Sequence, residues 1–167
     1  KIIPGGTFEE YLERGGFPRP LTYPEPEVLL REYFTDIIER DVRRHIQARS
    51  TMLLTQTARA VYETLASETS YRSLAKTFDS TPDTIKTYID AFVAAYFCLE
   101  CPFFTYSERK SVVRQKKYYP IDLGLRNAVT TNTGLNLGKK LETVVFHALI
   151  KKFRKVAYWR GKGEVDF

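Results

Sequence analysis

The stretch that most constrains the fold is residues 71–89, which has the pattern of two short amphipathic helices joined by a tight turn. The first apolar stripe consists of Leu74, Ala75 and Phe78, and the second of Ile85, Tyr88, Ile89 and Phe92. Between them, Asp79 or Ser80 tolerates the backbone angles of a turn, and Thr81 before Pro82 is typical of an N-cap and first helical position. The stretch therefore predicts a helix-turn-helix whose second helix begins near Pro82.

A helix-turn-helix is a common DNA-binding unit, in which the second helix enters the major groove. The side chains able to face a groove here are polar and mixed in charge, and among them we predict DNA contacts for Thr81, Thr84 and Lys86. The alternative is a pair of packed helices with no ligand, because the same apolar stripes would serve a purely structural role. The motif alone leaves both interpretations open.

Charge favours a polyanionic partner. The 167 residues contain 26 Lys and Arg against 20 Asp and Glu, a formal net charge of +6. Nucleic acid, specifically DNA, is the first candidate and an anionic membrane the second. We expect no membrane span, because no apolar run approaches about 20 residues, and no signal peptide is recognisable, so a cytoplasmic location is expected. The chain begins at Lys1 and stops within a strand-like run, so we expect it to be a piece of a longer protein.

The two cysteines, Cys98 and Cys101, form a C-x-x-C pair. A structural zinc site needs four ligands, and the chain offers two histidines and no second cysteine pair. We therefore expect no zinc. Cys98 lies on an apolar run, which predicts a reduced thiol in the core, with a redox role as the alternative.

The remaining segments predict a mostly helical α+β chain. A Pro-rich connector with a short helix is expected over residues 1–26, a long helix over 27–47 and a third helix over 51–67. Strands predicted over 103–106, 111–114 and 117–120 would form a wing beside the helix-turn-helix. The wing cations predicted to bind phosphate are Arg109, Lys110, Arg114, Lys116 and Lys117. An ordinary solvated hairpin is the alternative.

Two carboxylates stand out in the last third of the chain. Glu142 belongs to a helix predicted over 141–153, and Asp166 to the second of two strands predicted over 155–160 and 164–167. If the helix lies across the hairpin, both would meet and could hold Mg²⁺, which would activate water for phosphodiester cleavage. The alternatives are an acid that complements the helix dipole and a charged edge strand. We predict no nucleotide site at 134–140, because the glycine spacing and the missing Ser or Thr do not fit a phosphate loop.

Several motifs together resemble the C-terminal region of a large group of bacterial and archaeal AAA-type ATPases, a region long called a domain of unknown function. The motifs lie at residues 11–18, 38–42, 71–89, 117–125, 141–145, 158–160 and 164–167. The resemblance covers nearly the whole chain. In one respect the sequence departs from the family pattern: Thr143 follows Glu142 where Asn is common.

The resemblance implies a winged helix-turn-helix followed by a truncated, restriction-endonuclease-like α/β domain of the PD-(D/E)xK type. Its domains would be a connector at 1–47, the winged helix at 48–120 and the nuclease-like part at 121–167. Glu142 and Asp166 match the helix acid and strand acid, which makes them the predicted catalytic and metal-binding residues of the longer protein, with Mg²⁺ as the metal. An ATPase module that binds ATP would precede this chain and be its partner, and the strand carrying acid-x-Lys would follow Phe167. No cofactor is expected in this chain alone, an oligomer is left open, and the alternative function is a non-catalytic protein-interaction or regulatory module.

Overall fold

The computed structural model describes residues 6–48, 50–107, 114–131, 137–161 and 163–167, and it is mostly helical with small sheets, as the α+β prediction required. The helices are α1 (Phe8–Arg14), α2 (Pro26–Asp36), α3 (Arg44–Ile46), α4 (Thr51–Glu63), α5 (Tyr71–Thr77), α6 (Pro82–Ala94), α7 (Leu123–Val129) and α8 (Leu137–Lys152). A short 3-10 turn covers Pro20–Thr22, and a π-helical segment, Ile37–Arg43, joins α2 to α3. The strands are β1 (Glu68–Thr69), β2 (Cys98–Cys101), β3 (Lys116–Pro120), β4 (Trp159–Arg160) and β5 (Glu164–Val165).

The long helix predicted over 27–47 forms as one continuous helical stretch from α2 to α3. Its inner face buries Phe34, Ile38 and Val42 at helical spacing. It ends at Gln47, whose φ of 49° is left-handed and so cannot continue a right-handed helix. Sequence periodicity was sufficient here because the apolar stripe is uninterrupted.

The two helices predicted at residues 71–89 also form, with the turn and caps as expected. Asp79 takes the left-handed conformation in the turn, with a φ of 49°. The hydroxyl of Thr81 accepts a hydrogen bond from the backbone N–H of Thr84 at 3.1 Å, and Pro82 is the first residue of α6. This N-cap satisfies one of the free N–H groups at the helix start, which is why α6 begins where the sequence predicted.

The strand predicted over 117–120 forms as β3, whereas the other strands differ from the prediction in position or extent. Antiparallel pairing places β3 at the centre of a three-stranded sheet of order β1-β3-β2, with Cys98 opposite Pro120. The expected strand at 103–106 is not one: Phe103 makes only an isolated bridge to Tyr158. Residue Tyr96, with a φ of 54°, turns the chain directly after α6, so pairing starts earlier than the β-branched composition indicated. Of the strand expected at 111–114, residues 111–113 lie outside the described residues.

Two apolar clusters hold these elements together. The larger one packs α2, α4 and α6 around Phe97, whose ring stacks on Tyr62 with centroids 4.3 Å apart. The smaller one includes Tyr119 of β3 and Phe146 of α8, whose rings stack at 4.1 Å. It therefore draws on both sides of the boundary predicted at 120, and the three-domain division stays a prediction. Across the described ranges, no helix is both long and apolar enough to cross a membrane.

The N-terminal connector is attached to the start of α7 through Asp122. Its carboxylate accepts hydrogen bonds from the backbone N–H groups of Leu125 at 2.8 Å and Gly16 at 2.6 Å. Burial raises the pKa of this carboxyl group, against the lowering effect of those N–H donors. Gly124 lies so close to Arg14 that a Cβ atom at this position would overlap the Arg14 carbonyl group. Asp122 is thus the N-cap of α7, and it also joins two distant segments.

Candidate functional site

Four charged side chains meet around the ammonium group of Lys117, a residue of β3 that is only 2% exposed. The Nζ atom lies 3.0 Å from Oε1 of Glu142, 2.9 Å from Oε1 of Glu164 and 2.9 Å from Oδ1 of Asp166. It also lies 5.2 Å from the centroid of the Tyr158 ring. We call Lys117, Glu142, Glu164 and Asp166 the Lys117 cluster.

Local structure explains how residues from three distant parts of the sequence meet. Alternation along β3 puts Lys117 and Tyr119 on the same face of the strand. Helix α8 crosses that face and brings Glu142 close to Lys117 and Tyr119. The Tyr119 hydroxyl donates a hydrogen bond to Oε1 of Glu142 at 2.6 Å. Glu164 and Asp166 are two residues apart near β5, so they also point in the same direction.

Lys117 is charged in this setting. Burial by itself lowers the pKa of Lys117, but its hydrogen bonds to Asp166, Glu164 and Glu142 outweigh burial and hold the pKa above its ordinary value. The three carboxylates differ in exposure, since the Glu142 side chain is 14% exposed, Glu164 42% and Asp166 51%. The Lys117–Glu142 pair is consequently the buried part of the cluster, and the other two acids lie at its edge.

The Lys117 cluster lies in a polar cleft of about 400 Å³. Further charged residues on its walls are Glu68, Lys139 and Arg160. Arg160 pairs with Glu68 at 3.4 Å, and the Tyr158 hydroxyl lies 3.1 Å from the same carboxylate. Acidic and basic side chains are therefore interspersed along the cleft, and most are already bonded to each other.

The structure brings together Glu142 and Asp166, the predicted catalytic and metal-binding pair, but as partners of an ammonium group. The place between the two carboxylates, where Mg²⁺ would be held, is taken by Nζ of Lys117. Within the part of the chain that the structure describes, no group of three or more His, Cys, Asp or Glu is arranged to hold a metal ion. As arranged, these residues do not fit Mg²⁺, and their catalytic role stays a prediction.

The DNA contacts predicted on α6 lie at its solvent-facing start. The hydroxyl groups of Thr81 and Thr84 lie 2.9 Å apart at the helix N-terminus. Lys86 is exposed one turn later and pairs with Asp90 at 2.5 Å. Asp83 shares this surface, so the exposed face is polar and close to neutral.

The wing cations that the structure describes already contact other side chains, which makes them less available to phosphate. Arg114 lies over the ring of Phe103 at 4.9 Å from its centroid, and Lys116 pairs with Glu100 at 2.8 Å. Lys117, which was also predicted to bind phosphate, is instead buried and neutralised in the Lys117 cluster. Side chains alternate between the two faces of a strand, and Lys117 lies on the face of β3 that α8 covers. Arg109 and Lys110 lie outside the described residues.

The two cysteines and His147 are packed groups. Both cysteine thiols are free and buried, and burial raises the pKa of Cys101 to about 12. Such a thiol is not the reactive thiolate that redox chemistry requires. His147 has its Nε2 atom 2.9 Å from the Pro120 carbonyl oxygen, and burial lowers the pKa of its imidazole, which keeps it neutral at pH 7.

Sequence reasoning missed Tyr119 and the full role of Glu164 in the site. A signal was present for both: Lys117 and Tyr119 are two apart on one predicted strand, as are Glu164 and Asp166 on another. Such spacing places side chains on a common face. The missing information was which face α8 would cover, and no local pattern contains it.

Comparisons with known proteins give a family but no activity. A domain of unknown function, DUF8612, matches residues 5–138. An uncharacterized protein of Haemophilus influenzae is 23% identical over 168 residues, which cover 96% of this chain and 42% of that protein. The chain thus spans less than half the length of this curated relative, and no solved structure matches it. Because the DUF8612 match extends over most of its residues, the chain belongs to the DUF8612 family.

Proposed function

We propose that this chain is a DNA-binding region of a longer protein, in which residues 48–120 act as a winged helix. The observation that carries the proposal is the order of elements: α4, β1, α5, α6, β2 and β3, with β3 central in a sheet of order β1-β3-β2. A helix-turn-helix followed by a two-stranded antiparallel unit has the form of DNA readers whose second helix enters the major groove.

The burial of α6 supports this role. Ile85, Ile89 and Phe92 are fully buried, whereas Thr81, Lys86 and Thr87 face solvent. A helix fixed by one apolar side and polar on the other is rigid enough to present side chains to base edges and phosphates. Hydroxyl and ammonium groups at its start supply donors for phosphate oxygens.

The longer protein would add an ATPase module that binds ATP and acts as the partner of this region. The sequence resemblance motivates this part of the proposal, and the greater length of the Haemophilus influenzae relative leaves room for such a module. Coupling would then consist of ATP-driven movement of the DNA-binding surface. The oligomeric state of that assembly is left open.

The test is duplex DNA binding by the 167-residue chain, measured by fluorescence anisotropy at several salt concentrations. A variant combining Lys86→Gln, Arg114→Gln and Lys116→Gln removes three cations near α6 and the wing. If all three contact phosphate, affinity should fall at least about tenfold and the salt slope should decrease by about 2 to 3. Lys117 is left intact, because its replacement would disturb the fold.

A matched control removes the same charge elsewhere, through Arg14→Gln, Arg19→Gln and Arg44→Gln, all at exposed positions. Equal loss of affinity in both variants would show that only net charge matters. Unchanged binding in the α6 and wing variant would remove this surface from the proposal.

A non-catalytic protein-interaction or regulatory module is the second candidate, and the Lys117 cluster favours it over a nuclease. The ammonium group contacts one oxygen of each of the three carboxylates and lies where a metal ion would have to be held between them. A protein extended beyond Phe167 decides between the two. Nicking of DNA that requires Mg²⁺ and is lost in Asp166→Ala would support the nuclease-like role of Glu142 and Asp166; absence of nicking would support the module.

A further inference from the structure

The net positive charge of the chain is concentrated in one segment, and none of the predicted DNA contacts lies in it. Residues 143–163 contain no Asp or Glu and six basic residues: Lys151, Lys152, Arg154, Lys155, Arg160 and Lys162. Since the formal net charge of the whole chain is +6, all other residues together sum to zero. The charge that favours a polyanionic partner therefore lies outside the helix-turn-helix.

Four of these basic residues are exposed and nearly consecutive in sequence at the end of α8. Lys151 and Lys152 occupy its last turn, and Arg154 and Lys155 follow directly. All four are exposed, and among the described residues none of them takes part in an ion pair. Cations in the last turn of a helix complement its dipole, which accounts for the two lysines within α8. Arg154 and Lys155 lie beyond the helix end and gain little from that effect. We call these four residues the basic patch.

Exposed aromatic rings border the basic patch. Phe153, between Lys152 and Arg154, is 51% exposed, Phe104 is 44% exposed and Tyr106 is 99% exposed. The rings of Phe104 and Tyr106 meet edge to face, with centroids 5.1 Å apart. Phe104 and Phe153 line a groove of about 940 Å³ together with Arg154 and Lys155. Cations and accessible aromatic faces thus share one groove.

The acidic charge in this groove is already compensated. Its lining includes Glu100, whose carboxylate pairs with Lys116 at 2.8 Å. A polyanion entering the groove would therefore meet Arg154, Lys155 and a neutralised acid, with Lys152 close by, its Nζ atom 5.9 Å from the centroid of the Phe153 ring.

We propose that the basic patch and its groove bind single-stranded nucleic acid. Arg154 and Lys155 would contact phosphates within the groove, Lys151 and Lys152 would contact phosphates beside it, and unpaired bases would stack on Phe153 and Phe104, as in other strand-binding grooves that combine cations with aromatic faces. Stacking of this kind requires bases freed from pairing, which distinguishes this site from the duplex surface assigned to α6 and the wing. The site goes beyond the proposed DNA-reading function and does not depend on it.

The experiment measures binding of a fluorescent oligo(dT) strand to the full 167-residue chain over a salt series. A variant with Lys151→Gln, Lys152→Gln, Arg154→Gln and Lys155→Gln should bind at least about tenfold more weakly and show a salt slope reduced by about 2 to 3, at about 0.7 per lost phosphate contact. A control with the same charge change, at Arg14, Arg19, Arg40 and Arg44, should lose much less affinity. Unchanged oligo(dT) binding in the patch variant would overturn the proposal.

A second variant separates stacking from charge and serves if the quadruple variant does not fold. Phe153→Ala should weaken oligo(dT) binding by about fivefold or more with an unchanged salt slope, since base stacking contributes about 1 to 3 kcal/mol per base. Equal competition by polyglutamate, or a preference for duplex DNA at this site, would overturn the assignment to single strands. The α6 and wing variant should bind oligo(dT) normally, so either proposal can fail without the other.

Discussion

Replacing Lys117 with Met tests how much the Lys117 cluster stabilises the fold. The substitution keeps most of the side-chain length and removes the charge that holds three carboxylates. Removing one partner of a buried ion pair typically costs about 3 to 5 kcal/mol, because the other charge is left uncompensated. Here the cost is lower, since Glu164 and Asp166 are 42% and 51% exposed and regain water. Glu142, at 14% exposure, keeps only the hydrogen bond from Tyr119.

We therefore expect Lys117→Met to lower the free energy of unfolding by about 2 to 4 kcal/mol, most of it from the stranded Glu142 carboxylate. For a chain of this size the melting temperature should fall by about 4 to 16 °C. Urea unfolding followed by circular dichroism gives the free energy, and an unchanged m-value would show that the native state still buries the same surface.

Two further variants test whether the uncompensated Glu142 carboxylate causes the loss of stability. Glu164→Gln removes an exposed member of the same cluster and should cost no more than about 1 kcal/mol. Adding Glu142→Gln to Lys117→Met should recover about 1 to 2 kcal/mol, since the stranded charge is then gone. A loss for Lys117→Met no larger than that for Glu164→Gln, or no recovery in the double variant, would show that the cluster does not stabilise the core.

Three other predictions concern packing, pH and thiol reactivity. Gly124→Ala should lose about 2 kcal/mol or more in urea unfolding, because its Cβ overlaps backbone, whereas Gly138→Ala, with open space around it, should gain up to about 1 kcal/mol; equal effects would contradict this. Burial lowers the pKa of His147 from 6.5, so the unfolded state takes up its proton first and stability should fall as pH drops from 7 through 6.5 toward 5. His147→Gln should reduce that dependence, as melting temperatures at the two ends of the range would show. Cys101, with its pKa raised to about 12, should react with a thiol reagent only after unfolding, and rapid labelling of the folded chain would refute its burial.

For the predicted DNA-contact residues, residue type and spacing predicted exposure better on α6 than on the wing. At the start of α6, Thr81 and Lys86 are exposed and Thr84 is half-buried, because the apolar stripe of that helix fixes its orientation. On the wing, the same kind of reasoning grouped Lys117 with Lys116, although adjacent strand residues face opposite sides. Lys116 remains near the surface beside Glu100, whereas Lys117 is covered by α8. Composition identified the cations, but only packing separated an exposed one from a buried one.

The sequence by itself determined where α6 and α7 begin. The Thr81 cap before Pro82, the left-handed Asp79 and the Asp122 cap are local interactions, because each involves atoms only a few residues apart. The tertiary structure alone decided that Glu142 and Asp166, 24 positions apart, meet at Lys117. Their meeting depends on which face of β3 is covered by α8, and that choice is made by burying Tyr119 against Phe146, a contact between residues distant in sequence.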